Sequence, residues 1–89
     1  MEYVLTFNST NMAVKAEQLL LQAGLGISVM PIVPQISAGC GIALRVKPHE
    51  LARCREVLAA AYVEISCIYE RKIGGCGYEY SVVSNLEDI

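Results

Sequence analysis

Four cysteines and a single histidine are the residues of this 89-residue chain best suited to covalent chemistry. One of them is set apart by its neighbours. Cys40 stands between two glycines in Ser37-Ala38-Gly39-Cys40-Gly41 and is followed at once by Ile42-Ala43-Leu44-Arg45-Val46. A thiol with no side chain on either neighbour is expected to be open to a partner. It also lies outside any apolar stripe, where a packing cysteine would sit. The reactive form of cysteine is the thiolate, and a free thiol of pKa about 8.5 holds only a small fraction of it at neutral pH. Backbone N–H groups turned inward at glycines can cradle an anionic sulfur. Gly39 and Gly41 are placed to supply them, with the Ser37 hydroxyl as a further donor. The plain alternative is that Gly-Cys-Gly only bends the chain into the next strand.

The other thiols read differently. Cys54 falls in the apolar stripe of a helix and is expected to be a small buried hydrophobe. Cys67 alternates with Ile65 and Tyr69 and reads as a structural strand residue. Cys76, in Gly74-Gly75-Cys76-Gly77, should be exposed and is the possible second thiol. The cysteines form no C-x-x-C pair, which speaks against a zinc knuckle or an iron–sulfur site, so no metal and no cofactor are expected. His49 follows the far end of the strand that Cys40 opens. At about 3.4 Å per strand residue it should lie outside hydrogen-bond reach of Cys40, which argues against a Cys–His hydrolase. Glu17 and Glu50 read as ordinary helix surface. Gly74–Gly77 lacks the lysine and the following helix of a phosphate-binding loop.

The elements that must position Cys40 follow from periodicity. Tyr3–Phe7 alternates as a strand. Ser9 or Thr10 can cap a helix running to about Ala23, with Met12, Ala13, Ala16, Leu19, Leu20 and Ala23 on one side and Gly24 as its left-handed stop. Ile27–Val33 reads as a second strand, placed at an edge or made irregular by Pro31. Pro34–Gly39 is a loop, and Ile42–Val46 is a third strand that pairs with the second as an antiparallel hairpin. Pro48 opens a second helix with a stripe of Leu51, Cys54, Val57, Leu58 and Ala61. Glu64–Glu70 completes the series as a fourth strand. This order predicts an α+β fold, a ferredoxin-like split β-α-β-β-α-β sandwich with both helices on one sheet face. Residues 1–70 would form that domain. Residues 71–89 would be a C-terminal extension, with Tyr78–Val83 as an extra strand or hairpin and a frayed acidic end from Asn85.

Composition narrows the function classes. The chain is 54% hydrophobic, only 18% charged and has a net charge of -2, so disorder and a nucleic-acid partner are both disfavoured. No apolar run is long enough to span a membrane. The start, Met1-Glu2-Tyr3, shows no signal-peptide pattern. The expected location is therefore cytoplasmic, with reduced thiols. The apolar content also predicts self-association, as a homodimer or higher homo-oligomer.

Several of these features occur together in a known family. They are the strand Tyr3-Val4-Leu5-Thr6-Phe7, the Ser9-Thr10 cap, and a helix carrying Ala16-Glu17 and Leu19-Leu20 that ends at Gly24. Pro31, Pro34 and then Cys40-Gly41-Ile42-Ala43-Leu44-Arg45 complete the set. The chain thereby resembles the selenium/sulfur (Se/S) carrier protein-like family of short bacterial domains of unknown function, over about residues 2 to 70. The resemblance implies a carrier without enzymatic activity. Cys40 would hold sulfur or selenium as a persulfide-type adduct and pass it from a donor protein to an acceptor protein. Two features depart from the family pattern: Ala38-Gly39 stands where members often carry Ser-Ser, and the tail after Arg71 with Cys76 is additional. Two other functions remain open. One is a non-catalytic ligand-sensing or protein-interaction module that oligomerises through its sheet. The other is a soft-metal site made by Cys40 and Cys76.

Overall fold

A computed structural model describes residues 1–36 and 39–85. Eight elements follow in order: β1 (Glu2–Thr6), α1 (Thr10–Gln22), β2 (Ser28–Pro31), β3 (Ile42–Val46), a 3-10 turn (Pro48–Glu50), α2 (Leu51–Ala60), β4 (Cys67–Gly74) and β5 (Gly77–Asn85). The fold is α+β. Its five strands form one antiparallel sheet in the order β2-β3-β1-β4-β5.

Local chemistry explains each boundary near the site. Ser9 is extended, and its hydroxyl accepts the Met12 N–H at 3.2 Å, so it caps α1. Gly24, at φ +81, ends that helix in the left-handed region. Pro31 sits on the outer strand β2 opposite Ile42, where a missing N–H is tolerated. Ile27, Ile32 and Val33 lie outside that strand, which is shorter than its apolar run suggests.

The main core lies between one sheet face and the two helices. Leu5, Phe7, Leu44, Val46 and Ile68 of the sheet side meet Ala13, Ala16 and Leu20 of α1 and Cys54 and Leu58 of α2. Ala23 is exposed, so the buried stripe of α1 stops a turn earlier than its spacing predicts. The second sheet face is covered in part by the connection from β2 to β3. Ile36, with Ile32 and Val33 beside it, packs on Val4, Met30, Ala43 and Tyr69. The chain therefore crosses the open face before it turns into β3 at Cys40.

The fourth strand begins and ends later than expected. Ile65 belongs to the helix-side core, whereas Cys67 and Tyr69 pack on the other face, so the three do not form one alternating strand. The strand continues through Gly74 because β5 pairs with it from Gly74↔Gly77 back to Cys67↔Asn85. Residue 70 thus falls inside β4. Asn85, expected to begin a frayed end, instead ends β5 opposite Cys67, because pairing with β4 runs that far, and residues 86–89 lie outside the described residues. No helix among the described residues is long and apolar enough to cross a membrane.

Candidate functional site

Cys40 is not exposed. Only 5% of its surface is accessible, and it packs in the helix-side core. The expectation of an open thiol is corrected by one close approach. A Cβ built on Gly39 would stand 2.6 Å from the carbonyl oxygen of Asn8. Gly39 lacks a side chain so that the loop can dock on the turn after β1, and this docking carries Cys40 inward.

The sulfur occupies a specific gap. Pairing of β1 with β3 runs from Tyr3↔Val46 to Leu5↔Leu44. Two further steps would set Phe7 opposite Ile42. There the thiol intervenes: the Phe7 N–H donates to Cys40 Sγ at 3.3 Å, and Sγ–H donates to the Ile42 carbonyl at 2.9 Å. Cys40 thus closes the open end of the β1–β3 ladder and satisfies two backbone groups that burial would otherwise leave unpaired. The N–H donor to sulfur is that of Phe7. Gly41 N–H turns instead to the Thr10 hydroxyl oxygen at 3.1 Å, so it does not form the expected nest around the sulfur. Ser37, the other proposed support, lies outside the described residues.

This geometry has a chemical consequence. The Ile42 carbonyl suits a protonated thiol, while the Phe7 N–H suits sulfur in either state and an anion best. Residues Gly39 and Gly41 are exposed, so the buried sulfur is one residue from solvent along the chain in both directions. Thr10 is the first residue of α1, so the Gly39–Gly41 segment that carries the sulfur is tied to the start of that helix. A thiol seated this way can meet another molecule only by turning outward.

The remaining thiols fall into place by topology. None of the four cysteines is in a disulfide. Cys67 starts β4 opposite Thr6 and packs on the open-face cluster, across the sheet from Cys40. Cys76 is exposed in the turn between β4 and β5. The eight residues of β4 put that turn at the far end of the sheet, on the order of 20 Å from Cys40 at ~3.3 Å per residue. A metal shared by Cys40 and Cys76 of one chain is ruled out by that separation, and so is a direct disulfide. Among the described residues no group of three His, Cys, Asp or Glu could hold a metal ion. His49 follows β3 at its other end and cannot reach Cys40.

Cys54 is fully buried, and burial first, with the charge of Glu50 second, pushes its thiol up from 9.0 to about 11. The folded state therefore holds that proton more tightly than the unfolded chain. The resulting stability is complete below pH 9 and lost as pH rises from 9 to 11, an amount on the order of 2–3 kcal/mol. Urea denaturation at pH 8 and pH 11 should show this loss in the parent and a smaller one in Cys54→Val. Equal losses would assign the alkaline weakening to other groups.

Two polar arrangements had no clear sequence signal. Glu50 is half-buried and its Oε2 accepts the Gly26 N–H at 3.2 Å, tying the loop after α1 to the start of α2. It is not ordinary helix surface. On the open sheet face, Arg71 donates to Glu2 Oε1 at 2.6 Å and to the Tyr80 hydroxyl at 3.3 Å, and lies 3.4 Å over the Tyr78 ring. Arg45 stands 3.5 Å from the same Glu2 oxygen. Only strand register brings these residues together. A groove of about 620 Å³ beside α2, lined by Leu58, Tyr62, Val63 and Ile65 among others, does not include Cys40.

Comparison with known proteins adds one finding. A protein-family model described as "Putative Se/S carrier protein-like" matches residues 2–70. No curated protein matches the chain. No solved structure matches it. The matched segment contains β1, α1, Cys40 and the Phe7 and Ile42 backbone groups that hold its sulfur.

Proposed function

The chain belongs to the Se/S carrier protein-like family, and on that premise we propose that it carries sulfur or selenium on Cys40 between a donor and an acceptor protein. The observation that carries this reading is the setting of Cys40. It is a thiol inside the matched segment, held by one backbone donor and one backbone acceptor beside the start of α1. The first four strands, with a helix in each crossover, support a ferredoxin-like split β-α-β-β-α-β frame for the carrier. Residues 71–85 extend it by closing the outer edge of β4.

The chemistry is thiol exchange. The Cys40 thiolate attacks the outer sulfur of a donor persulfide, R–S–SH. The new S–S bond forms as the donor's S–S bond breaks, and the donor leaves as a thiolate. Delivery repeats the step with the acceptor thiolate as nucleophile. Neither transfer changes the total number of electrons, so no cofactor takes part. A carrier thiol must be kept reduced to accept sulfur, and the reading places the protein in the cytoplasm. Selenium would be carried by the same atom.

Cyanolysis tests this. After incubation with a small-molecule persulfide and desalting, the parent should release close to one equivalent of thiocyanate per chain, and Cys40→Ala close to none. Equal release from both would move the carrying atom elsewhere.

One observation favours a second reading, an interaction module that oligomerises through its sheet. The outer strand β5 spans nine residues, and Tyr78, Val82 and Val83 on it are exposed. Long, weakly charged edges are templates for strand pairing. Light scattering of a dimer combined with parent-level thiocyanate from Cys40→Ala would select this reading. A monomer that loads on Cys40 would exclude it.

A further inference from the structure

The carrying thiol is buried, so something must set how often it is presented. We infer that Thr10 is a positioning residue for Cys40: its hydroxyl, by holding the Gly41 N–H, keeps the sulfur seated between β1 and β3. This rests on Cys40 being the thiol that matters, as argued above.

Three contacts define the seat. Gly39 abuts the Asn8 carbonyl, Gly41 N–H is bonded to Thr10 Oγ1 at 3.1 Å, and Sγ bridges Phe7 and Ile42. The first is a fit of backbone on backbone, and the third involves the thiol itself. The second alone depends on a side chain other than that of Cys40. Both of its ends are exposed. Water can therefore replace either partner, and removing the hydroxyl loosens the seat without leaving a buried group unpaired. Ser9, one residue earlier, already caps α1 through Met12. Thr10 is thus not needed for the cap, and its oxygen is left for Gly41.

Alkylation measures the opening without requiring that the protein carry anything. The parent, Thr10→Val and Thr10→Ser are treated with iodoacetamide at pH 8, and each cysteine is followed by peptide mass spectrometry. Valine keeps the shape and removes the acceptor. Thr10→Val should label at Cys40 about two- to tenfold faster than the parent, the factor by which one net hydrogen bond shifts an equilibrium. Cys54 and Cys76 should keep their parent rates, and Thr10→Ser should label at Cys40 within twofold of the parent. An unchanged Cys40 rate in Thr10→Val overturns the inference. So does a joint rise at Cys40 and Cys54, which means general loosening, and so does a rise in Thr10→Ser equal to that in Thr10→Val. Amide exchange in the parent gives a check that needs no variant: the Gly41 N–H should be protected. Unprotected exchange there, with Cys40 still shielded from alkylation, would also overturn it. Failure of cyanolysis with success here would refute carriage while leaving the latch intact.

Discussion

Gly39→Ala should expose Cys40, raising its alkylation rate about 10- to 100-fold over the parent. The added methyl carbon would lie 2.6 Å from the Asn8 carbonyl oxygen and 3.3 Å from its carbon. Both are backbone atoms, so neither can rotate away as a flexible side chain would. Asn8 also follows Phe7, whose N–H holds the sulfur. Any retreat of Asn8 pulls on that bond. The simplest relief is to lift the Gly39–Gly41 segment, which releases the thiol from Phe7 and Ile42. Overpacking of this kind costs about 1–3 kcal/mol. Spent on opening, that strain multiplies the open population by roughly one to two decades at 1.36 kcal/mol per decade. Competitive alkylation against Cys76 in the same sample checks it. A Cys40 rate equal to that of the parent would show that the loop is not held by this contact.

Phe7→Ala should be the most destabilising of the simple core truncations near the site, at about 3–5 kcal/mol. Phe7 is wholly buried and heads the fully buried side chains by volume. Its ring belongs to the cluster that joins β1 to both helices and to Cys40. A chain of this length has only a modest reserve, ~0.05–0.15 kcal/mol per residue, so the variant should be largely unfolded or close to it at 37 °C. Phe7→Leu keeps most of the volume and should lose much less. Urea denaturation followed by circular dichroism distinguishes them. A loss below about 1.5 kcal/mol in Phe7→Ala would mean that the β1–α1 junction packs more loosely than the buried surface indicates.

Much of the frame was legible in the residues. The alternation of Tyr3–Phe7, the Ser9 cap and Gly24 mark β1 and α1 because each acts locally. Pro31 announced an outer strand for the same reason: a missing N–H can be tolerated only where no partner strand needs it. The pairing of β2 with β3 followed from their closeness in sequence. What sequence missed was set by contacts distant along the chain. β4 shifted because β5 extends it toward Gly74. Ile65 left the predicted strand and joined the helix-side core. The Arg71, Glu2 and Tyr80 group depends on a register that no single segment encodes.

The flanking glycines single out Cys40 as a candidate, but the open thiol they suggest is in fact buried. Flanking glycines are compatible with an open thiol and equally with a backbone packed close against another backbone. Asn8, more than thirty residues earlier, decides between them. The donor likewise proved to be the Phe7 N–H, freed where the β1–β3 ladder ends, and a backbone group of that kind leaves no mark in the sequence. Under the proposed function, the carrying thiol is sheltered at rest, and Gly39 and Thr10 are the residues proposed to set its release.

The most direct test is a peptide map of the loaded protein. After reaction with a persulfide donor, alkylation and digestion, the peptide containing Cys40 should carry the mass of one added sulfur atom. That sulfur should pass to an added acceptor thiol when the acceptor is present before alkylation. The peptides containing Cys54, Cys67 and Cys76 should carry none. Added sulfur confined to the exposed Cys76, with Cys40 unmodified, would contradict Cys40 as the carrying atom.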